Sequence, residues 1–494
     1  MSSREMDQCW SDETQKLFKN VGERFKQAFV NNERTQFDAE VFLSLFEQYL
    51  SEPNTIDWTR MKPLSLKFQK DYESLPYCSG KEERNEIVKR LSVVKLNGGL
   101  GTTMGCDGPK SLIELRRGLT FLDFAIGHVQ RFNERSNSSV PLVLMNSFNT
   151  DQTVCEYLAD RKVNIRTFLQ SKCPRIFVEN SMPVPLIDGG ENIEGWYPPG
   201  HGNIFESMQF TGVLDELLAH GRDICFISNI DNTGATIDLR IAKLMVESDL
   251  EYIMECTEKT EVDRKGGTLV EINGYIMHLE MPQVPNDRID DFCSTNIFKI
   301  FNTNNIWVNL RAVKKKLGEM KMEIIVNKKV LSNGMFVNQL ETSVGGAIRN
   351  FDKVLSLQVP RSRFLPVKNT QDLLAIMSDL YEVTENFSLQ FVRKDKAPII
   401  ELSRHFSKVS EFRKRFRDIP RLRQLKWLKV KGDIYFGRHV VLKDNVEIVA
   451  DQGQPLEIAE GECLENIKLI QTSHAEVQRI PIVLDSNQIG IKVG

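Results

Sequence analysis

The spacing of hydrophobic residues changes along the 494-residue chain, and these changes mark its organisation. Residues 1–90 are predicted to be helical. Asp38 is a candidate cap for one helix, because its side chain can accept hydrogen bonds from the first free amide groups. The apolar face of that helix repeats near 3.6 residues and consists of Val41, Phe42, Leu45, Phe46, Tyr49 and Leu50. This part carries no recognisable chemistry and is interpreted as supporting structure.

Short apolar runs alternate with longer segments of helical character between residues 91 and 390. Such alternation favours an α/β fold with a doubly wound parallel sheet. Asn273-Gly274 between two apolar runs predicts a β-hairpin. The predicted buried strands are 92–96, 141–145, 224–230 and 252–256, and the predicted crossover helices are 151–159 and 238–246.

The segment 391–426 is basic. Residues 393–426 hold twelve Lys and Arg residues against four Asp and Glu residues, with aromatic and aliphatic residues between them. We interpret the segment as an amphipathic linking helix with a solvated face; a surface for RNA or an acidic partner is the alternative.

Residues 427–494 contain apolar positions six residues apart. This period predicts a short parallel β-helix of two or three coils, with each apolar residue stacked on the one six earlier. An open end of such a structure exposes unpaired strand groups, so it needs a cover from the same chain or from another subunit. The repeated positions are Val430, Phe436, Leu442 and Ile448; Ile434, Val440 and Val446; and Ile458, Leu464 and Ile470.

Composition excludes several classes of protein. The formal net charge is −3, which argues against bulk attraction to nucleic acid or membranes. No apolar run is long enough to span a bilayer, and the polar N-terminus does not resemble a secretory signal. The nine cysteines form no CxxC pair, so we expect free thiols in a reducing, cytoplasmic compartment.

A glycine-rich stretch after the first predicted strand carries the clearest chemistry. Residues 93–111 include Gly98, Gly99, Gly101 and Gly105, followed by Pro109 and Lys110. Glycines allow the backbone to approach a ligand, and their N–H groups can bind phosphate oxygens. The spacing matches neither GxGxxG nor GxxxxGK[ST], because Met104 and Pro109 stand where those motifs need glycine.

This stretch and seven later segments resemble the family of UTP–glucose-1-phosphate uridylyltransferases, also called UDP-glucose pyrophosphorylases, most closely its animal and fungal branch. The resemblance covers about residues 90–470. It implies an α/β fold with an N-terminal helical segment (1–90), a Rossmann-like nucleotidyltransferase domain (91–390), the linking segment (391–426) and a C-terminal left-handed parallel β-helix with a tail (427–494). The later segments are 145–150, 197–202, 228–232, 265–268, 301–305, 339–342 and 359–368.

The resemblance implies reversible transfer of a uridylyl group from UTP to glucose 1-phosphate, giving UDP-glucose and pyrophosphate. The attacking phosphate monoester is already mostly dianionic at neutral pH, so no general base is needed. Catalysis then rests on positioning and charge neutralisation. Lys110 and Lys368 match the family's catalytic lysines. Asp231 follows a predicted strand and is the expected ligand of the cofactor Mg²⁺.

Further binding residues are carried over from the resemblance. Asn and Gln side chains suit these roles because each offers both hydrogen-bond donors and an acceptor. The expected UTP contacts are Leu96, Asn97, Gly98, Gly99, Lys110, Gln170, Gly200, Asn229 and Lys368. The expected sugar contacts are His201, Asn229, Glu255, Gly267, Asn302 and Asn304.

Three features depart from the family pattern. Asn203 stands where the family usually has Asp, and Asp107 adds a negative charge to the phosphate loop. The tail 471–494 extends past the last hexad; a subunit contact, an extra strand and disorder remain alternatives for it.

Rival functions are a pyrophosphorylase for other UDP-sugars or UDP-N-acetylhexosamine, a catalytically silent scaffold and a sugar-phosphate acyltransferase. The resemblance also implies a homo-oligomer through the β-helix, an octamer in the animal and fungal branch, with neither nucleic acid nor membrane as a partner.

Overall fold

The computed structural model describes residues 10–52, 55–450, 453–471 and 476–482. Contacts within the chain divide it into two compact units. The first unit comprises Met1–Gly99, Phe132–Ile230 and Ala235–Phe364, and the second comprises Leu100–Arg131, Asp231–Gly234 and Leu365–Gly494. The four consecutive parts expected from the sequence stay a prediction at the level of domains, whereas their individual elements can be compared with the structure.

An eight-stranded sheet forms the centre of the first unit. Seven of its strands are parallel, and Ile300–Asn309 runs antiparallel to both of its neighbours. The core of this unit lies on the faces of the sheet and includes residues such as Val94, Ile227 and Met254, which are fully buried. The strand order is Gln69–Asp71, Val354–Gln358, Tyr252–Glu258, Ile300–Asn309, Ile224–Asn229, Leu91–Leu96, Leu142–Asn146 and Arg166–Leu169.

Helices and smaller sheets complete the described residues. The α-helices are Asp12–Phe29, Glu33–Ser51, Lys81–Lys89, Phe121–Ser136, Asp151–Asp160, Val184–Asp188, Ile204–Phe210, Val213–Ala219, Leu239–Glu247, Ile289–Cys293, Leu310–Lys316, Thr370–Met377 and Val409–Arg415. The small sheets pair Met61–Pro63 with Thr268–Ile272 and Tyr275–Leu279; Cys173–Pro174 with Trp196–Tyr197; Ile176–Phe177 with Phe336–Thr342 and Ile324–Val330; Glu114–Arg116 with Leu119–Thr120; and Tyr381–Val383 with Leu389–Phe391.

The predicted α/β pattern is confirmed between residues 91 and 390. All four predicted strands and both predicted crossover helices are present, with ends shifted by a few residues. The hairpin at Asn273-Gly274 joins Thr268–Ile272 to Tyr275–Leu279, and both turn residues have positive φ.

The N-terminal part is less helical than predicted. After two long helices, residues 58–74 form short 3-10 turns and the strands Met61–Pro63 and Gln69–Asp71, because both strands pair with sheets formed later in the chain. Asp38 is not a cap. Asn32 caps the second helix through a reciprocal capping box with Thr35, and Asp38 lies inside that helix, where it accepts a hydrogen bond from the Lys172 N–H.

The predicted linking helix over 391–426 is only partly helical. Val409–Arg415 is its one α-helix, and the strands Ile399–Leu402 and Arg421–Lys431 flank it, because both of them join the C-terminal parallel sheet. Many of its basic side chains pair with acidic groups of the same unit, as Arg413 does with Glu114 and Arg415 with Asp433. This internal pairing favours the structural interpretation of the segment over a surface for RNA.

The six-residue period of the C-terminal segment corresponds to stacked parallel strands. Strands Arg421–Lys431, Val441–Val449 and Cys463–Gln471 run parallel in one sheet, and Ile434–Phe436 pairs in parallel with Leu456–Ile458 in another. The predicted stacking partner was wrong: Val430 lies opposite Ile448, eighteen residues later, and not opposite Phe436. Residues six apart follow no single rule: Val430 and Phe436 lie in different strands, whereas Leu442 and Ile448 lie in the same strand, Val441–Val449.

The tail contains an additional strand. Val477–Pro481 pairs antiparallel with Cys463–Gln471 at the edge of the sheet, which matches one of the three alternatives for this region. The rest of the predicted tail, residues 472–475 and 483–494, lies outside the described residues. No helix in the described ranges combines the length and apolar character needed to cross a membrane.

Candidate active site

Two neighbouring parallel strands of the first unit bring predicted nucleotide contacts to one edge of the sheet. Leu96, at the end of one strand, lies opposite Asn229, at the end of the other. The chain then leaves the sheet at its carboxyl edge, where open α/β sheets bind ligands. Asn97, Gly98 and Gly99 therefore follow directly at this edge.

Polar side chains of the next strand and its loop brace this glycine segment. The Ser147 hydroxyl donates a hydrogen bond to the Gly98 carbonyl at 2.7 Å, and the Thr150 hydroxyl donates to the Asn97 carbonyl at 2.9 Å. The Asn97 amide donates to Asn146 at 2.8 Å. The motif 145–150 thus holds the glycine segment in place. A Cβ atom added to Gly99 would have no atom within 4 Å, so the space beside it is open.

Gln170 lies directly over Gly98. A Cβ atom on Gly98 would be 2.0 Å from the side-chain nitrogen of Gln170, so only glycine permits this approach. Gln170 is 5% exposed, and its Oε1 atom has no hydrogen-bond partner among the described residues. Leaving a buried acceptor unpaired costs free energy that a ligand donor would recover. The pair forms a polar surface suited to the edge of a nucleobase.

The loop that contains Gly200 and His201 packs on Thr342. Gly200 has φ +88°, and a Cβ atom there would be 2.4 Å from the Thr342 carbonyl oxygen. The N–H of Val344 donates to Nδ1 of His201 at 3.0 Å, so Nε2 carries the hydrogen of the neutral ring. Burial and the nearby His278 lower the pKa of His201 to about 4. The ring is therefore neutral at pH 7 and offers one donor.

Three of the predicted sugar contacts, Gly267, Asn302 and Asn304, are joined by hydrogen bonds through Asn302. The Asn302 main-chain N–H donates to the Gly267 carbonyl at 2.8 Å, and the Asn302 side chain donates to His278 at 3.1 Å and to Asn304 at 2.7 Å. Both amide hydrogens of Asn302 are thereby used inside the protein. Asn304 has φ +57°, a left-handed conformation that Asn tolerates better than most residues.

His278 and Glu280 were not predicted from the sequence. His278 is 2% exposed, and burial lowers its pKa to about 4. A Cβ atom on Gly267 would be 2.7 Å from the His278 ring and 2.8 Å from the Glu280 carboxylate, which explains the glycine. The sequence signal for His278 is its position two residues after the apolar Ile276, which places both side chains on the same face of the strand. A polar cavity of about 210 Å³ lies here; its lining includes Gly200, His201, Glu280, Thr342 and Ser343.

Glu255 differs from the other predicted sugar contacts because it is fully buried. Its carboxylate accepts two hydrogen bonds from Arg363, at 2.6 and 2.7 Å, one from Trp307 at 2.8 Å and one from Asn305 at 3.0 Å. These four bonds occupy both carboxylate oxygens. The structure thus places Glu255 in a buried ion pair with Arg363, a residue that was not predicted from the sequence.

The three predicted catalytic residues all belong to the second unit. Lys110 forms an ion pair with Asp231, and these two side chains are 16% and 15% exposed. The Asp231 carbonyl accepts a hydrogen bond from the Val367 N–H at 3.3 Å, and Asn232 pairs with Pro366 in a β-bridge. Lys368 follows immediately. Lys110 therefore contacts Asp231, and residues 231–232 contact residues 366–367, directly before Lys368.

Asp107 and Asn203, which depart from the family pattern near the glycine loops, have different surroundings. Asp107 is exposed. Asn203 is 2% exposed; its oxygen accepts from the Ser171 N–H at 2.8 Å and the Ser207 hydroxyl at 2.7 Å, and its amide donates to Glu206 at 2.7 Å. Asn203 therefore has a structural role in which its amide hydrogens matter.

The carboxylate of Asp231 was tested as a metal ligand. Within the described ranges, no three His, Cys, Asp or Glu side chains cluster as a metal site. One carboxylate does not fit zinc, which takes at least three protein ligands. It fits Mg²⁺, which binds through one or two carboxylates and takes its other ligands from water and substrate phosphates.

Comparisons with known proteins identify the family of this chain. The family model described as UTP--glucose-1-phosphate uridylyltransferase matches residues 39–443, most of the chain. The chain belongs to this family. It is 45% identical over 444 residues to the UTP--glucose-1-phosphate uridylyltransferase of Musa acuminata, covering 88% of this chain and 95% of the relative. The Saccharomyces cerevisiae enzyme of the same name is 44% identical over 449 residues, covering 88% and 89%. These plant and yeast identities do not separate the branches.

Solved structures of the family share the fold. The UDP-glucose phosphorylase of Trypanosoma brucei superposes with a TM-score of 0.80 at 33% identity and covers 92% of this chain and 99% of its own. A variant of the Leishmania major UDP-glucose pyrophosphorylase, crystallised in complex with UDP-glucose, gives 0.81 at 29% identity and covers 93% and 100%.

Proposed function

We propose that this protein transfers the uridylyl group of UTP to glucose 1-phosphate, giving UDP-glucose and pyrophosphate, in a reversible reaction. The observation that carries the proposal is the contact among the segments of Lys110, Asp231 and Lys368 in one unit. Membership of the uridylyltransferase family supports the same chemistry.

The reaction needs charge neutralisation more than proton transfer. An oxygen of the sugar phosphate forms a bond to the α-phosphorus of UTP while the bond from that phosphorus to the bridging oxygen breaks. The electron pair leaves on pyrophosphate. The nucleophile is already an anion, so the ammonium groups of Lys110 and Lys368 act by holding the phosphates and offsetting charge in the transition state.

Asp231 is the proposed ligand of the cofactor Mg²⁺. When bound, Mg²⁺ supplies neutralisation of phosphate charge and a fixed orientation of the phosphates. The chain's own contribution is the carboxylate, which the Lys110 ion pair and the Val367 hydrogen bond keep in place.

Gln170 is the proposed reader of uracil. Its unpaired Oε1 can accept from the uracil N3–H, while its amide can donate to a uracil carbonyl. Cytosine presents an acceptor at N3, which would oppose the Gln170 oxygen. Leu96, Asn97, Gly98, Gly99, Gly200 and Asn229 complete the proposed UTP contacts.

The sugar is proposed to bind beside the neutral His201. The Nε2–H of His201 is oriented as a donor because Nδ1 already accepts from Val344. Asn229, Gly267 and Asn304 are the other proposed contacts, whereas Asn302 acts by orienting Asn304.

The C-terminal strands are proposed to form a short left-handed parallel β-helix that joins copies of the chain into a homo-oligomer. The edge strand Val477–Pro481 supports this proposal, since Val477 and Ile480 are 41% and 42% exposed. Light scattering of wild type and I480E tests it: dissociation in the variant is expected, and unchanged mass would contradict it. A cytoplasmic location is also proposed, because eight cysteines of the described residues are free thiols.

The central experiment measures pyrophosphate release with UTP, Mg²⁺ and a panel of sugar 1-phosphates. We expect turnover with glucose 1-phosphate, less with galactose and N-acetylglucosamine 1-phosphates, and little when CTP replaces UTP. Q170L, which keeps the size of the side chain, should raise KM for UTP about tenfold or more through the loss of paired hydrogen bonds. Equal use of CTP and UTP by wild type would contradict the assignment of Gln170; absence of pyrophosphate release would contradict the function.

A further inference from the structure

Asp372 makes contacts that exceed the needs of a helix cap. It is the third residue of the helix Thr370–Met377, and Asn369 is the cap. In the reciprocal capping box, the Asp372 N–H donates to Asn369 at 2.9 Å and the Asn369 N–H donates to Asp372 Oδ2 at 3.2 Å. The same Oδ2 also accepts the N–H of Lys368 at 2.8 Å. That third bond lies one residue upstream of the box and fixes the main chain of Lys368.

Successive amide groups around Lys368 are thus bound to two aspartates. The N–H of Val367 donates to the Asp231 carbonyl at 3.3 Å, and the next two N–H groups, of Lys368 and Asn369, donate to the Asp372 carboxylate. Lys368 therefore leaves a main chain that is held on both sides. This arrangement fixes the main chain from which the Lys368 side chain extends.

The charge of Asp372 also acts on both lysines. Burial raises the pKa of Asp372 above its ordinary value, and the positive charges of Lys368 and Lys110 oppose that rise. Lys110 is paired with Asp231 as well. The ion pair and the main-chain hydrogen bonds bring two lysines and two aspartates into one connected group, whose formal charges sum to zero before any polyphosphate binds.

We propose that Asp372 is a positioning residue for Lys368 and that its carboxylate is the counter-charge shared by Lys110 and Lys368 until a polyphosphate binds. The inference rests on the proposed function, in which both lysines bind the phosphates of UTP. Asp372 does not touch the reacting atoms. It holds the backbone of one lysine and limits how tightly the pair retains UTP or pyrophosphate, because its negative charge repels theirs.

The two roles can be separated by two substitutions. D372N keeps an oxygen that can accept the two amide groups but removes the charge, so KM for UTP and for pyrophosphate in the reverse reaction should fall severalfold. D372A removes both the accepting oxygen and the negative charge, so kcat should fall at least tenfold as Lys368 loses its position. N369A is the matched control, since it removes the capping side chain and leaves the three main-chain donors intact.

The control distinguishes positioning from simple helix capping. N369A should lower the urea unfolding midpoint as much as D372A does, yet leave kcat and KM for UTP within twofold of wild type. If D372N binds UTP and pyrophosphate no more tightly than wild type, the counter-charge role is wrong. If D372A and N369A share the same kcat, the positioning role is wrong.

Failure of this inference is distinct from failure of the proposed function. K110M and K368M remove the ammonium groups themselves and should each weaken UTP binding at least tenfold. If both lysine variants lose UTP affinity while D372N behaves as wild type, the proposed function stands and only the role of Asp372 is overturned. If K110M and K368M both keep wild-type affinity for UTP, the assignment of the two lysines and this inference are both wrong.

Discussion

Lys110 and Asp231 form an ion pair, although they are separated by 121 residues and both were assigned to phosphate and metal binding from the sequence. The pair places a cation beside the carboxylate that is proposed to hold Mg²⁺. If Mg²⁺ and a polyphosphate bound as proposed, Asp231 would hold the metal and Lys110 would contact the phosphates, so each side chain would gain a new partner of opposite charge.

Asp231→Ala tests the proposed metal ligand. We expect kcat to fall at least 1,000-fold, equivalent to about 4 kcal/mol in the activation barrier. UTP binding should weaken much less or even tighten, since Lys110 loses its competing carboxylate. Pyrophosphate release at saturating substrate and calorimetric titration with UTP measure the two effects.

Asp223→Asn is the control for loss of a mostly buried, ion-paired carboxylate. Asp223 binds Arg90 and Arg311 just before strand Ile224–Asn229, at the opposite end from Asp231. Its substitution should lower stability and leave kcat within threefold of wild type. Near-normal turnover of D231A would remove Asp231 from the catalytic assignment.

Gly99→Ala tests whether a ligand approaches the open side of the glycine segment. Gly99 has no positive φ and no atom within 4 Å of an added Cβ, so alanine should change stability by less than about 0.5 kcal/mol. If UTP lies against Gly99, the methyl group should raise KM for UTP about tenfold. Thermal unfolding and initial rates at varied UTP check both parts.

Gly105→Ala provides the contrasting case. Gly105 has φ +64°, and an added Cβ would be 2.5 Å from the Lys408 side chain. We expect a loss of about 1–2 kcal/mol in unfolding free energy from backbone strain and crowding.

A stable G99A enzyme with unchanged KM for UTP would contradict the proposed approach of the nucleotide to Gly99.

Local patterns predicted the elements of this protein better than their long-range partners. Alternating apolar runs identified strand Leu91–Leu96 and its neighbours, and the six-residue period identified the stacked C-terminal strands. The pairing of Val430 with Ile448 was not predicted, because the spacing of apolar residues alone does not say how far along the chain the neighbouring strand lies.

In the candidate site, too, local motifs were more informative than long-range contacts. Lys110, Asp231 and Lys368 were assigned by resemblance to known motifs; Lys110 pairs with Asp231, and the catalytic roles of all three residues stay a prediction. The contact of Glu255 with Arg363 was not predictable, because it joins residues 108 positions apart and depends on how two segments fold over the sheet. His278 was overlooked because its strand reads as an ordinary core strand.

Asn203→Asp introduces the residue that the resemblance to the family implies at this position. The Asn203 amide donates to Glu206, so an aspartate at position 203 would place two carboxylates within hydrogen-bond distance. The pair would share a proton in the folded state, and its apparent pKa would rise. The folded state then binds more protons than the unfolded state, so stability should decrease as pH rises from 5 to 8.

N203D is expected to lower the unfolding free energy by only about 1 kcal/mol at pH 8. Glu206 is exposed, so solvent screens the repulsion between the two carboxylates. Urea unfolding at several pH values measures it. N203D combined with Glu206→Gln should recover the wild-type value, since the amide introduced at position 206 can donate to the carboxylate introduced at position 203. A loss that is independent of pH, or a double variant no better than N203D, would show that Glu206 is not the cause.

The two neutral histidines of the sugar region should make the fold sensitive to acid. The pKa values of His201 and His278 are lowered to about 4 by burial, whereas both rings titrate near 6.5 in the unfolded chain. Between pH 4 and 6.5 the unfolded state therefore binds more protons than the folded state. Stability should rise with pH across this window by up to about 1.4 kcal/mol per pH unit for each histidine.

Two substitutions of histidine by glutamine isolate this contribution. His278→Gln keeps an acceptor for Asn302 and removes one titrating group. The slope of unfolding free energy against pH should therefore decrease by up to about 1.4 kcal/mol per pH unit, the contribution of one proton. His220→Gln, at an exposed position, is the control for the substitution itself. Urea unfolding at pH 5, 6, 7 and 8 provides the slopes; equal slopes for wild type and H278Q would mean that His278 is already charged inside the folded protein at pH 5.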